Sequence, residues 1–145
     1  MRVDNAGAQH LYRVGFLGRG RLGMSVLRRL LDDEEVTVPV IVTCHETPEV
    51  ALVEGSFQQL AQDKGIDFYA TNSLKGSRWS TILAAYHLDL AVAMLWLHVI
   101  EDPVLASARQ GFVNCHGGLL PQYRGNACAN WAILNGEHEM GVTVH

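Results

Sequence analysis

Apolar positions in this chain switch repeatedly between a strand rhythm and a helix rhythm. Leu11 to Leu17 (LYRVGFL) is a short apolar run rich in β-branched and aromatic residues, which predicts a buried strand. Beyond Gly18, Gly20 and Gly23, the residues Val26, Leu27, Leu30 and Leu31 return at helical spacing. Val36 to Cys44 (VTVPVIVTC) predicts a second strand, with Pro39 placing that part at a strand start or an edge. Residues 45 to 55 read as a loop. Ser56 is the expected N-cap of the next helix, with Gln59 as its capping-box partner. Phe57, Leu60 and Ala61 share a face of that helix, and Gly65 stops it. Asp67 to Ala70 predicts a short strand. Trp79, Ile82, Leu83 and Tyr86 fall at i, i+3, i+4, i+7 and predict a helix. Leu90 to Trp96 is the most apolar run and predicts a central strand. Pro103 to Arg109 then reads as a short helix, and Gly111 to Asn114 as a strand. Asn126 is the expected cap of a helix reaching Asn135-Gly136, and Met140 to His145 begins a last strand.

Strands that alternate with helices in this way predict an α/β fold: a Rossmann-like, doubly wound, mostly parallel sheet with helices on both faces. No repeat or low-complexity segment interrupts it, so residues 11–145 read as one domain. Residues 1–10 (MRVDNAGAQH) lack the apolar core of a signal peptide and read as a flexible tail.

Composition narrows the class. The 145 residues are 48% hydrophobic and 18% charged, as in ordinary globular domains, and carry a net charge of -4. That balance shows no electrostatic footprint for nucleic acid. The acidic run Asp32 to Glu35 reads as a solvated helix end. The longest apolar stretch, Leu88 to Ile100, is broken by Asp89 and His98 and falls short of the roughly 18 residues that a membrane helix needs. Cys44, Cys115 and Cys128 are odd in number and have no metal-ligand spacing, which predicts reduced thiols, a cytoplasmic protein and no metal.

Two motifs carry chemistry. GRGRLG at 18–23 is a G-x-G-x-x-G between a strand and a helix, the context of a dinucleotide fingerprint. The acid expected about 20 positions later is missing, since the second strand ends in Thr43, Cys44 and His45. The loop therefore reads either as a nicotinamide site, or as a structural turn or other anion site where Gly18 and Gly20 face a substrate. Asn114 and His116 are the second motif. Two apart on a strand, they face one side, with Cys115 turned the other way. They sit at a strand's carboxyl end, where open parallel sheets hold ligands. The segments Gly18–Gly20 and Trp96–Val99 follow two other strands and are expected at the same edge. An amide can hold an oxyanion and an imidazole can move a proton, a combination suited to acyl-group transfer. No Ser or Cys is placed beside the pair as a nucleophile, which favours direct attack by a substrate amine. The same residues could instead satisfy loop backbone groups in a non-catalytic binding module.

The stretch NCHGGLLPQYRGNACANWAILNGEHEMGVTVH, Asn114 to His145, resembles the folate-dependent formyltransferases. That family includes methionyl-tRNA, glycinamide ribonucleotide and amino-sugar N-formyltransferases. Its hallmark is an Asn-x-His pair running into a Ser-Leu-Leu-Pro-x-x-x-Gly loop, here Gly118 to Gly125, and weaker similarity extends back to about Tyr12. The resemblance implies that Asn114 and His116 are catalytic. It implies that Leu97, His98, Val99 and Ile100 line the pterin site of 10-formyltetrahydrofolate, and that Tyr123 and Arg124 flank the substrate. The Tyr123-Arg124-Gly125 step and WAILNGE look closer to the sugar and tRNA enzymes. The implied acceptor is a small-molecule amine, an amino-sugar nucleotide first and an aminoacyl-tRNA second. Two departures stand out. Gly118 replaces the usual Ser. The family's third catalytic residue, an Asp beyond the last strand, would follow His145, and neither Glu137 nor Glu139 stands in its place. The chain therefore reads as a catalytic domain cut short within an apolar strand, with weak or no activity of its own.

Overall fold

The computed structural model describes residues 11–45 and 54–145. Among them, the chain runs β1 (Tyr12–Gly18), α1 (Gly20–Leu31), β2 (Val36–Thr37), β3 (Val40–Thr43), α2 (Glu54–Lys64), β4 (Asp67–Ala70), α3 (Ser77–Ala84), β5 (Leu90–Met94), α4 (Asp102–Leu105), β6 (Phe112–His116), α5 (Cys128–Leu134) and β7 (Thr143–Val144). One sheet orders these strands β4-β3-β1-β5-β6-β7, with β2 beside the start of β1. All pairings are parallel except β6 with β7. The chain steps outward from β1 through β3 to β4, then returns to place β5 and β6 on the other flank. This reversal makes the sheet doubly wound and opens a crevice at the carboxyl ends of β1 and β5.

Side-chain alternation explains the helices on both faces. Phe16 and Ile41 point into one core with Leu27 of α1 and Phe57 and Ala61 of α2. Their strand neighbours Leu17, Val40 and Val42 point into the other, with Leu83 of α3 and Val104 of α4. The Phe16 and Phe57 rings stack with centroids 5.9 Å apart. Central strands buried on both faces read as continuous apolar runs, as β1 and β3 do. No helix among the described residues is long and apolar enough to cross a membrane.

Several predicted boundaries move, each for a local reason. The run 36–44 splits into β2 and β3 around Pro39, which has no N–H for the ladder. β5 ends at Met94 because Leu95 takes a left-handed φ of 56°. Helix α4 covers only Asp102–Leu105: beyond it, the N–H groups of Arg109 and Gln110 bond to the carbonyls of Leu88 and Asp89 instead of continuing the helix. Ser56 lies inside α2, which begins at Glu54, so it is not the cap; residues 46–53 of the predicted loop lie outside the described residues. Gly65 does stop α2, at φ 66°. The N-cap of α5 is Ala127, with Asn126 one place earlier. Of the last run only Thr143 and Val144 form β7, opposite His116 and Cys115, with His145 bonded to Asn114 just beyond, while β6 extends past Asn114 to His116.

Opposite the crevice, Asp89 anchors the amino ends of the strands. It is 8% exposed, and its carboxylate accepts the Arg13 backbone N–H at 2.9 Å and Arg109 Nη2 and Nε at 2.8 and 3.1 Å. Arg13 Nε in turn donates to the Tyr86 carbonyl. The Tyr86 hydroxyl donates to Asp67, and burial, then its bonds to Tyr69 and Asp67, push its pKa well above the ordinary tyrosine value. Asp89→Ala leaves a part-buried backbone donor unmet and is expected to cost about 1–3 kcal/mol in urea unfolding. Arg109→Ala removes a side chain that is 65% exposed, and is expected to cost less than about 1 kcal/mol. Equal losses would show that Asp89 acts only through the ion pair.

Candidate active site

β6 delivers Asn114 and His116 to the carboxyl edge of the sheet, and the pairing with β7 holds them there. The Asn114 N–H donates to the His145 carbonyl at 2.7 Å and the His145 N–H to the Asn114 carbonyl at 3.1 Å. The same register brings Asn114 Nδ2 within 3.0 Å of His145 Nε2. The His116 and His145 rings lie 6.3 Å apart, edge to face.

Beyond β6 the chain folds back over the imidazole. His116 Nε2 is 2.6 Å from the Tyr123 carbonyl, so this nitrogen carries the proton and donates it. Three tethers fix that carbonyl. The Tyr123 N–H bonds to the Leu119 carbonyl. Thr143 Oγ1 donates to the Gly118 carbonyl at 2.8 Å and accepts the Leu120 N–H at 3.1 Å. The Tyr123 hydroxyl donates to Glu137 Oε1 at 2.6 Å. That bond to a carboxylate raises the Tyr123 pKa, with Asn135 acting in the opposite direction. Between Leu120 and Pro121 the peptide bond is cis. Gly118 is the point of closest approach: a Cβ there would sit 2.6 Å from the Tyr123 carbonyl oxygen and 3.0 Å from both His116 Nε2 and Cys128 Cβ.

A cavity of about 260 Å³ opens in front of these groups. Arg19 borders it after β1, Leu95–Leu97 after β5, Asn114–Gly117 on β6, and Gly125–Ala129 at the start of α5. The three strand ends thus meet at one edge, as the alternating pattern implies. None of the described residues that border it is acidic, and Arg19 Nε is held by the Leu95 carbonyl at 2.8 Å. The indole N–H of Trp96 is buried with no partner among the described residues. No group of three or more His, Cys, Asp or Glu is placed to hold a metal ion among them.

Not every predicted residue arrives. Of Leu97, His98, Val99 and Ile100, only Leu97 borders the cavity, and its carbonyl lies 3.5 Å from Asn126 Nδ2. His98 is exposed, Val99 is 82% exposed, and Ile100 packs on the core of Leu83 and Val104. Gly18 and Gly20 do not border it. Gly18 ends β1, and Gly20 opens α1 at φ 68°, which accounts for the glycines as a tight turn. Arg19 between them reaches the site, from a motif position that carries no signal. Tyr123 contributes its carbonyl, while its hydroxyl is turned to Glu137, and Arg124 is exposed outside the cavity. Cys115 also borders the cavity, which strand alternation does not anticipate.

The expectation that no cysteine stands beside the pair is corrected. Cys128 Sγ lies 3.5 Å from His116 Nε2, 3.3 Å from the Tyr123 carbonyl and 3.4 Å from the Gly125 carbonyl. Cys128 is twelve positions from His116 in sequence, and only the fold-back of the loop joins them.

A model of the formyl transferase family matches residues 13–145. Among solved structures, glycinamide ribonucleotide transformylase 1 from Symbiobacterium toebii aligns with a TM-score of 0.66 and 22% identity, over 95% of this chain and 66% of that one. Phosphoribosylglycinamide formyltransferase from Bacillus halodurans gives 0.69 and 19%, over 92% and 70%. A formyltetrahydrofolate deformylase from Pseudomonas syringae pv. tomato gives 0.71 and 17%, over 95% and 46%. The chain therefore spans just under two thirds of the first of these proteins, and the likeness to all three is one of fold. With the family match running from β1 through every segment that borders the cavity, the chain belongs to the formyl transferase family.

Proposed function

We propose that this domain, residues 11–145 behind a short tail, moves a formyl group from 10-formyltetrahydrofolate to a substrate amine. The observation that carries the reading is the pair at the end of β6, an amide and an imidazole bordering one cavity together with the positive charge of Arg19.

An amine that attacks the formyl carbon builds negative charge on the formyl oxygen. The Asn114 amide is the donor for that oxygen, where a pre-placed N–H is worth more than one recruited from water. His116 takes the proton that the amine sheds and returns it to the departing nitrogen. Because Nε2 is committed to the Tyr123 carbonyl, Nδ1 is the nitrogen that exchanges protons with the substrate. Arg19 contributes a positive field that favours substrates carrying negative charge. Leu97 supplies apolar surface for the pterin. The Tyr123-Arg124-Gly125 step favours an amino-sugar nucleotide as acceptor, with an aminoacyl-tRNA second. Two of the proteins it resembles are named for glycinamide ribonucleotide, and a primary amine is common to these three acceptors.

Two measurements test this. Titration with 10-formyltetrahydrofolate should change tryptophan emission in a saturable way, through Trp96 at the cavity wall, and Trp96→Phe should remove the change. Saturable NAD(P) binding with no response to the folate would give the site to the glycine-loop reading instead. In a longer chain that carries this domain, Asn114→Ala and His116→Ala are each expected to lower formyl transfer by roughly two to three orders of magnitude, as for a lost oxyanion donor. Rates within a few-fold of the unaltered protein in both variants would end the assignment.

A further inference from the structure

A side-chain amide has two ends of similar size and opposite hydrogen-bonding character. Turning it over costs little in packing, so its partners decide which end faces where. Asn114 borders the cavity, and its backbone is fixed by the paired bonds with His145. Its side chain has one hydrogen-bond partner among the described residues, His145, whose Nε2 lies 3.0 Å from Nδ2. An amide nitrogen only donates, so His145 Nε2 is the acceptor and that ring carries its proton on Nδ1.

We propose that His145 is a positioning residue: by accepting one Nδ2 hydrogen, it turns the Asn114 carboxamide so that its N–H end, and not its oxygen, meets the formyl group. The role rests on the formyl-transfer reading. The second Nδ2 hydrogen is left for the oxygen on which negative charge develops. The reversed amide would set Oδ1 against that oxygen, lone pair against lone pair, and the donor would be lost. His145 is not among the described residues that border the cavity, so it acts through Asn114.

The last strand is built for this task. Thr143 and His145 are two apart and share a face. Thr143 Oγ1 bonds to the Gly118 carbonyl and the Leu120 N–H, tethering the loop whose Tyr123 carbonyl holds His116. His145 bonds to the Asn114 amide directly, and its ring packs edge to face on that of His116, with centroids 6.3 Å apart. Alternate residues of one short segment thus orient both members of the pair.

The first test is heteronuclear NMR of the 145-residue chain at about pH 8, above the ordinary imidazole range. Long-range proton–nitrogen spectra tell the two tautomers of each ring apart. His145 is expected with its proton on Nδ1, and His116, as the internal contrast, with its proton on Nε2. A His145 ring protonated on Nε2 would donate to Oδ1 of an amide turned the other way, and would overturn the proposal whether or not any variant folds. The second test is formyl transfer in a longer chain that carries this domain. Gln can place an amide oxygen where Nε2 stands, whereas Asn reaches only to the Nδ1 position. His145→Asn is expected to lower kcat about five- to tenfold, as for one net hydrogen bond, with KM for the folate changed less than about threefold. His145→Gln is expected to keep kcat within about twofold. Equal losses in the two variants would show that the ring only fills space, and would also overturn the proposal. An Nδ1-protonated His145 in a protein that neither binds 10-formyltetrahydrofolate nor transfers its formyl group would refute the formyl-transfer reading and uphold the orientation of the amide.

Discussion

A single carbonyl, that of Tyr123, holds this site together. It accepts the His116 Nε2 proton at 2.6 Å and lies 3.3 Å from the Cys128 sulfur. A backbone acceptor in that position decides which imidazole nitrogen is protonated and how the ring is turned. Its own placement rests on Thr143, reaching from β7 to both sides of the Gly118–Leu120 segment, and on the Tyr123 hydroxyl pinned to Glu137. Strand, loop and helix are thus tied through side-chain bonds that no single element could supply.

The sheet does the coarser work. Parallel pairing of β1, β5 and β6 brings three chain turns to one edge without any of them contacting the others in sequence. Because the central strands are apolar on both faces, helices must cover both. The carboxyl edge then becomes the place where polar groups can face a ligand and still be positioned by a rigid core. The Asp89 cluster sits at the opposite edge, at the amino ends of the strands, where its bonds stiffen the scaffold away from the chemistry.

Much of this was legible in the sequence because it depends on period. Among the described residues, alternation and helical spacing located the helices and the paired strands, with 36–44 read as one strand where there are two, and the strand rule placed Asn114 and His116 side by side. What the sequence hid depends on backbone bonds between distant segments. The early end of β5 follows from a left-handed Leu95, and the short α4 from carbonyls of Leu88 and Asp89 that claim the next N–H groups. Neither leaves a residue-type signal. The segment 97–100 was read as one lining strip, yet its four residues divide between cavity, solvent and core. Arg19 was invisible because the variable positions of a glycine motif carry no pattern.

Gly118 and Cys128 are best understood together. The resemblance places a Ser at 118, and a Cβ there would come within 3.0 Å of both the His116 nitrogen and the Cys128 Cβ. In this chain the glycine gives up that side chain, and the space next to the imidazole is filled from the other direction by a sulfur on α5. The polar neighbour of His116 is therefore a thiol from α5 rather than a hydroxyl from the loop. A hydroxyl at 118 would compete with the imidazole for the Tyr123 carbonyl at short range. A thiol is a weaker donor at longer range and leaves the shorter bond to His116 undisturbed. The glycine thus leaves the imidazole bonded to the Tyr123 carbonyl, with sulfur as its second polar neighbour.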